Sequence, residues 1–512
     1  MPRVACFMSE GTRTSRQRVF HNGSTLAQRL QSPWLRLAAT VLICLVLLGI
    51  FFLVELLANG GADADLRPAL LCLSLLGISA VSYVAWPSRW NILAHTQLAF
   101  GIVAYIIPLL LLGGGRSVPE ASLTLYTSIM VVGFGFSVLG TIIGSQIAAH
   151  PRNSRVITAV LIPSTRVRHD IPRRVVWVAL VSVIGLLTAF LVMGFVPALA
   201  ADPFAAKFFR GAYAASYAPV APLYRGTTSA LTVLLPLLTM YAIWRRRPLW
   251  IVLFLTAVAL LLLTLQREPA VSGILLFIGV LVALRSRGML LYFLGIVAVY
   301  FAGSASYFVF AALGIANFSA GVTTNPVGLL ESVAAGAPDV ADQFIFLDSW
   351  LRNPVFAHGL TFMGGLVPGN FQWNPSVWSL AVTNPGADVT AINSGGFRLP
   401  GPLWGYVNLG WAGAAGVGLL FGLITGYLAR TVSVSIARQT ALLVGENKHG
   451  RESAVLTFIV YAALVDCLTQ FYALSYVTVI QTGVIVAIVY IGHNLRLQLR
   501  RPFLAKSSVR NA

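Results

Sequence analysis

Long apolar stretches alternate with short charged loops along this chain, and that pattern restricts it to a membrane-embedded helical fold. Hydrophobic residues make up 57% of its 512 residues and charged residues only 10%, which is more apolar surface than a soluble fold can bury. A helix needs about 20 apolar residues to cross about 30 Å of hydrocarbon. Twelve stretches meet or approach that length: 37–58, 68–86, 92–112, 122–148, 175–196, 228–244, 248–265, 270–284, 289–313, 403–428, 454–473 and 476–492.

The sequence therefore predicts an all-α polytopic membrane protein with about 12 transmembrane helices. Its organisation follows from the spans. A basic, disordered cytoplasmic tail covers residues 1–36, helices 1–9 occupy 37–313, helices 10–12 occupy 403–492, and a second basic cytoplasmic tail covers 493–512. Residues 314–402 form one long loop, here called the lid, whereas ordinary connections have about 4–6 residues.

The basic residues separate by side of the membrane. Cytoplasmic loops of membrane proteins carry an excess of Lys and Arg. With the N-terminus inside, most of the 35 Lys and Arg residues fall on the cytoplasmic side. The lid is then external, and the outer side carries only Arg67, Arg116, Lys207, Arg210, Arg225, Arg267, Arg352 and Arg398. The net charge of +19 is spread over several short segments, which argues against nucleic acid as a partner and favours anionic lipid headgroups.

The first part of the lid has the pattern of an amphipathic helix. Pro338 can open it, its end is expected near Asn353–Pro354, and one face carries Val340, Phe344, Leu347 and Leu351. We expect this helix to lie on the membrane surface or to cap a cavity. The Gly-, Pro- and Asn-rich run 364–402 is expected to be irregular backbone.

Glycines recur on one face of two predicted spans. They are Gly140 and Gly144 in the fourth span, and Gly418, Gly422 and Gly426 in the tenth. Small residues at this spacing let helix backbones approach closely. We expect these faces to pack against neighbouring helices.

Four external arginines are candidates for binding a phosphate-bearing lipid. Arg267 follows a span directly, Arg398 lies between glycines and prolines just before one, and Arg210 and Arg225 bracket Tyr213, Tyr217 and Tyr224. A guanidinium binds phosphate with two parallel hydrogen bonds. Arg267 could instead be an interfacial anchor or pair with Glu268.

Three acid–base candidates remain. His358 is the one external histidine, and its side chain type suits proton transfer near neutral pH. Asp348 could serve as a second acid or base, or could pair with Arg352 four residues on. Asp466 lies inside a predicted span, where a carboxylate is costly and is either functional or paired.

The chain resembles the Wzy-type oligosaccharide repeat-unit polymerases, which are related to the O-antigen ligases. The resemblance rests on the span count with one late external loop, on Gln266-Arg267-Glu268 at the outer end of a span, and on two segments around the lid. These are Gly359-Leu360-Thr361-Phe362 and Gly405-Tyr406-Val407-Asn408-Leu409-Gly410-Trp411-Ala412-Gly413. The match covers residues 230–430. The motif departs from the family at Glu268-Pro269, where a small residue and Gly or Thr are usual.

This resemblance implies a glycosyltransferase of the bacterial cytoplasmic membrane. The donor and acceptor would be polyprenyl-diphosphate-linked glycans, joined with inversion and without metal, nucleotide or other cofactor. It assigns Arg267 and Arg398 to the diphosphate, with Arg210 and Arg225 as second choices, and His358 to the acceptor hydroxyl, with Asp348 as substitute. Trp350, Trp373 and Trp378 would stack on sugars. A flippase and a chain-length regulator are implied partners.

Two other functions stay open on the sequence. A glycan ligase, or another enzyme using the same lipid-linked donor, would need the same diphosphate site. A transporter of lipid-linked sugars or other solutes would usually show two related halves. The lid has no counterpart early in this chain, which favours an enzyme.

Overall fold

The computed structural model describes residues 65–106, 109, 118–150, 165–265, 267–285, 288, 290–299, 339–367, 371–386, 388, 396–443 and 448–490. The predicted first span, both tails and the start of the lid lie outside these residues. The longer helices of the described part are α1 (Arg67–Ser79), α3 (Ile92–Gly101), α4 (Glu120–Ala149), α5 (Thr165–Met193), α8 (Ala221–Arg245), α9 (Pro248–Leu263), α10 (Arg267–Arg285), α11 (Leu290–Val299), α12 (Asp339–Arg352), α14 (Pro375–Thr383), α15 (Gly401–Leu443), α16 (Lys448–Thr469) and α17 (Tyr476–Tyr490). Short helices are α2 (Ser82–Ala85), α6 (Pro203–Lys207), α7 (Ala212–Tyr217) and α13 (Leu360–Gly364).

The described residues are mainly helical in every predicted span that they include, although a turn at residues 80–81 divides the span 68–86 into α1 and α2, and the fold has the character of a membrane protein. Among the described residues, four stretches are long and apolar enough to cross a membrane: Glu120–Ala149, Asp170–Met193, Ala205–Arg245 and Gly401–Ile436. Shorter apolar helices accompany them. The helical prediction is confirmed for these segments. The total of twelve spans and the side on which the lid lies stay predictions.

Helices α4 and α15 pack backbone to backbone through their small residues. A methyl group built on Gly418, Gly422 or Gly426 would lie 2.5, 2.0 or 2.2 Å from the carbonyl oxygen of Gly133, Ser137 or Thr141, respectively. Steps of four residues on one helix thus match steps of four on the other in the same direction, so the two helices run parallel. The predicted role of the glycine faces is confirmed.

The chain of α15 reverses at Leu409 and Gly410, where the backbone is not helical. A Cβ built on Gly405 would lie 2.2 Å from the carbonyl oxygen of Gly413. Eight residues of a straight helix span about 12 Å, so the short limb 401–409 folds back on the long limb 411–443. Gly410 has φ +64° and ψ −149°, a conformation that essentially only glycine adopts. The prediction of one continuous span from residue 403 was wrong for this reason.

The lid is more ordered than predicted. Helix α12 forms where its pattern indicates, but Val340, Phe344 and Leu347 are buried against protein rather than on a membrane surface. Phe344 packs edge-on against Tyr126 of α4, with 5.3 Å between ring centroids. The lid helix therefore contributes to a shared apolar cluster.

Irregular backbone was predicted for residues 364–402, and that prediction was wrong for α14. The Asn374 side chain caps this helix by accepting a hydrogen bond from the N–H of Ser376 at 3.1 Å. Pro375 occupies its first turn, where a proline sacrifices no intrahelical bond. Val377 and Trp378 are buried, and this burial holds the helix in place.

Two apolar clusters make up the core. The first joins α5, α8, α9, α10, α16, α17 and the later part of α15, and the second joins α1, α4, α12, α14 and the short limb. The turn between α16 and α17 links them. Tyr472 and Ala473 of that turn pack against the second cluster, while Val465 and Ile485 on either side belong to the first.

Candidate functional site

An arginine held between tyrosines lies at the start of α8. The Arg225 Nε donates a hydrogen bond to the Tyr217 hydroxyl at 2.5 Å, and the Tyr476 hydroxyl is also hydrogen-bonded to this guanidinium. Its carbon atom lies 5.8 and 6.0 Å from the centroids of the Tyr217 and Tyr476 rings. Aromatic rings and hydroxyls thus fix the cation without removing its charge. We call Arg225, Tyr217, Tyr224 and Tyr476 the Arg225 cluster.

Two more of the predicted arginines have their backbones near this cluster. The Tyr224 hydroxyl is hydrogen-bonded to the side chain of Thr264, and three residues later Arg267 begins α10. Arg210 follows Phe209, whose ring stacks on that of Tyr217 at a centroid distance of 3.5 Å. The Arg210 guanidinium is exposed and lies 5.2 Å from the Phe208 ring centroid.

A chain of polar side chains runs beside the Arg225 cluster, at the end of α16. Gln470 Nε2 donates to Asp466 Oδ1 at 3.2 Å, and Gln470 Oε1 accepts from the Thr478 hydroxyl at 3.4 Å. The hydroxyls of Thr478 and Ser475 are 3.0 Å apart. Ser475 directly precedes Tyr476, so this polar chain ends at the Arg225 cluster. Asp466 lies in the last turn of its helix rather than deep within it.

The lid is attached to the same turn. The N–H of Leu474 donates to the Phe362 carbonyl oxygen at 2.9 Å, and the N–H of Tyr476 donates to the Gly365 carbonyl oxygen at 2.9 Å. A Cβ on Gly365 would lie 2.6 Å from the Leu474 carbonyl oxygen, so a larger residue would break this contact. The backbone of lid helix α13 is thereby connected to Tyr476 and, through its ring, to Arg225.

His358 is held through its backbone at the reversal of α15. The N–H groups of Ala357 and His358 donate to the carbonyl oxygens of Val407 and Asn408 at 3.0 and 3.1 Å. These carbonyls belong to the last turn of the short limb, whose ends need partners. His358 has φ +48°, a left-handed conformation that costs a non-glycine residue free energy. Its side chain is exposed, and its ring lies 6.4 Å from that of Phe356.

Asn408 completes this attachment with its buried side chain. Its Oδ1 accepts from the Gly359 N–H at 3.0 Å and from the Thr361 hydroxyl at 2.9 Å. Its Nδ2 donates to the Trp404 carbonyl oxygen at 2.8 Å. Asn408 and Thr361 are both fully buried. We call these contacts the Asn408 clamp.

The remaining predicted charged residues, Arg398 and Asp348, lie on the lid. Arg398 is exposed, its carbonyl oxygen accepts from Gln343 Nε2 at 2.7 Å, and its neighbours Phe397 and Leu399 pack in the second apolar cluster. Asp348 forms an ion pair with Arg352 four residues on. The alternative of a local Asp348–Arg352 pair is therefore the arrangement observed.

The three predicted sugar-stacking tryptophans differ in exposure. Trp350 and Trp378 are 3% and 5% exposed, and the Trp350 Nε1 donates to the Val355 carbonyl oxygen at 2.8 Å. Their rings pack against protein, which leaves Trp373, half-buried, as the best placed of the three. In the described part of the chain, no group of three or more His, Cys, Asp or Glu side chains could hold a metal ion.

Sequence reasoning missed three residues that organise this region: Tyr476, Gln470 and Asn408. Asn408 was part of a quoted motif but had no role. Gln470 lies near the end of the predicted span 454–473 and Tyr476 at the start of the span 476–492, and the position of these polar side chains at span ends was the available signal. Comparison of the chain with protein-family models, with curated proteins and with solved structures gives no match.

Proposed function

We propose that this protein is a membrane glycosyltransferase that joins polyprenyl-diphosphate-linked oligosaccharides on the outer face of a bacterial cytoplasmic membrane, as a repeat-unit polymerase. The glycan on one diphosphate lipid is the donor, and a hydroxyl of a second lipid-linked unit is the acceptor. The diphosphate lipid is the leaving group. Neither a nucleotide nor a metal enters the reaction, because the donor is already activated.

The observation that carries the proposal is the position of Arg225. Its guanidinium is half-buried among Tyr217, Tyr224 and Tyr476, at the end of α8 that the predicted topology places outside. A planar guanidinium matches two phosphate oxygens, and partial burial strengthens such bonds. Arg225, a second choice in the sequence analysis, becomes the first candidate for the diphosphate.

In this proposal the Arg225 cluster stabilises the charge that develops on the leaving diphosphate. Arg267 begins α10 three residues after Thr264, the hydrogen-bond partner of Tyr224, and is the second diphosphate residue. The lid, attached at Leu474 and Tyr476, covers the site and keeps water away from the reacting carbon. The parallel packing of α4 and α15 agrees with this topology, because both helices would then cross from outside to inside.

A glycan ligase would share the donor site and differ in its acceptor. The same purified protein tests both activities. In liposomes with a lipid-linked oligosaccharide as donor and acceptor, without ATP or an ion gradient, a polymerase forms longer lipid-linked glycans, whereas a ligase transfers glycan only to a different acceptor.

The functional experiment uses Arg225→Ala with Arg245→Ala as its control. Both arginines belong to α8, and Arg245 also packs on a tyrosine, with 4.8 Å between its guanidinium carbon and the Tyr241 ring centroid. Only Arg225→Ala should abolish lengthening while remaining folded. Arg398→Ala is the third arm, since the sequence analysis assigned Arg398 to the diphosphate. Wild-type protein that forms no glycosidic product with lipid-linked donors would refute the proposal.

A further inference from the structure

Asp466 presents a carboxylate where the surrounding helix is apolar. It is exposed, although its neighbours Val465 and Cys467 are buried at 3% and 4% exposure. An acid facing hydrocarbon costs about 2.5–3.5 kcal/mol even by the lowest scales. The exposed carboxylate lies instead in the last turn of α16, next to the turn that carries Tyr476.

Hydrogen-bonded side chains connect Asp466 to the turn that carries Tyr476. Gln470 donates to its Oδ1 and continues through Thr478 to Ser475, one residue before Tyr476. Tyr472 of the same turn is close enough for its phenol to interact with the negative charge of Asp466. The ring of Tyr472 contacts the start of α15, since a Cβ on Gly401 would lie 3.0 Å from it. Asp466 is thus connected to the turn that contacts both the start of α15 and, through Tyr476, the Arg225 cluster.

We propose that Asp466 is the general base of the reaction, an assignment that rests on the proposed function. Its carboxylate takes the proton of the acceptor hydroxyl as that oxygen bonds to the anomeric carbon. The bond from this carbon to the diphosphate oxygen breaks, and its electron pair stays on the diphosphate, beside Arg225. Gln470 donates a hydrogen bond to one oxygen of this carboxylate. The proton ends on Asp466, and no further reactant is needed.

This assignment differs from that of His358, which the Asn408 clamp attaches to the reversal of α15. His358 is tied to the short limb through backbone bonds, whereas Asp466 is tied by side chains to the turn that carries Tyr476. That turn supplies Tyr476 to the Arg225 cluster, and this connection is the reason for choosing Asp466 as the base.

The test compares Asp466→Asn, Asp466→Glu, His358→Gln and Asp170→Asn in the liposome assay, with binding of polyprenyl diphosphate measured separately. Asp170 is an exposed acid on α5, ion-paired with Arg174 at 3.7 Å, and serves as the control. Asp466→Asn keeps an oxygen for Gln470 and removes the base, so turnover should fall by about 10²–10⁴-fold with unchanged binding. Asp466→Glu should recover part of the rate.

If Asp466→Asn is as active as Asp170→Asn, the assignment is overturned. If only His358→Gln is inactive, His358 is the base, and the proposed function stands. Equal losses of binding and turnover in Asp466→Asn would also overturn it, since that result indicates a structural side chain. Absence of lengthening by the wild-type protein would overturn the proposed function and this assignment together.

Discussion

The main-chain N–H of His358 donates a 3.1 Å hydrogen bond to the carbonyl oxygen of Asn408, and this bond joins the lid to the point at which α15 reverses. The Asn408 side chain adds bonds to Gly359, Thr361 and Trp404. A single buried amide thus holds the lid segment and the short limb in one arrangement. The arrangement of residues 357–361 therefore depends on that amide.

Asn408→Ala should release this segment. The substitution leaves the Gly359 N–H and the buried Thr361 hydroxyl without their acceptor, at about 1–3 kcal/mol for each stranded group. We expect a lower unfolding temperature in detergent and faster amide hydrogen exchange over residues 357–361. Thr361→Val is the matched control, since it removes one of these bonds and should cause a smaller change. Wild-type exchange rates in Asn408→Ala would contradict the clamp.

Substitutions of His358 should reveal the strain in its backbone. At φ +48° a non-glycine residue carries a penalty of about 1–2 kcal/mol, which glycine avoids. His358→Gly should therefore unfold at a higher temperature than His358→Ala, although both lack the imidazole. The free energy of unfolding of the two variants, measured side by side, checks this. A less stable glycine variant would show that the left-handed conformation is not imposed there.

The close packing of α4 and α15 should tolerate no side chain at Gly422. Its Cβ would lie 2.0 Å from the Ser137 carbonyl oxygen, and overpacking of this kind costs about 1–3 kcal/mol. Gly416→Ala is the control on the same helix, because nothing lies within 4 Å of its Cβ. Alanine there should stabilise by up to about 1 kcal/mol. Thermal unfolding of the two variants should shift in opposite directions, and equal shifts would contradict the packing.

A disulfide should form across the reversal of α15. The Cβ of Gly401 would lie 3.2 Å from Val417 Cγ1, within reach of a disulfide bond introduced by the double substitution Gly401→Cys with Val417→Cys. The control pair Leu420→Cys with Ile436→Cys has the same separation in the long limb, where it spans about 24 Å. Mass spectrometry of oxidised, digested protein should find only the first bridge. If the bridge between positions 401 and 417 does not form, the result would contradict the reversal and indicate a continuous helix.

The sequence predicts the helices well and the turns between them poorly. Apolar periodicity identifies α12 through Val340, Phe344 and Leu347, and glycine spacing identifies the α4–α15 contact. The reversal at Gly410 is not predicted from the sequence because the residues that flank it are as apolar as those of a continuous span. Only the backbone angles at the reversal distinguish a hairpin from a continuous helix. Asn374 followed by Pro375 is a typical start of a helix and could have predicted α14. These residues lie in a Gly- and Asn-rich run, however, and that composition favours irregular backbone.

For the site, residue types identify the arginines but not their neighbours. Arg225 and Tyr217 are close in sequence, whereas Tyr476 reaches Arg225 only because α17 packs against α8. Asp466 stands out as an acid in an apolar helix, yet its link to Ser475 through Gln470 and Thr478 depends on the turn after α16. Such long-range contacts leave no periodic signal in the chain.

Binding of polyprenyl diphosphate by Arg225 tests the account most directly. The measurement is the equilibrium affinity of the lipid, without sugar, for the protein in nanodiscs, compared among wild type, Arg225→Lys and Arg245→Lys. Lysine keeps the charge but cannot reproduce two parallel bonds to phosphate. We predict affinity at least about tenfold weaker for Arg225→Lys, equivalent to about 1.4 kcal/mol, and unchanged for Arg245→Lys. Equal affinity for all three proteins would contradict the assignment of the Arg225 cluster to the diphosphate.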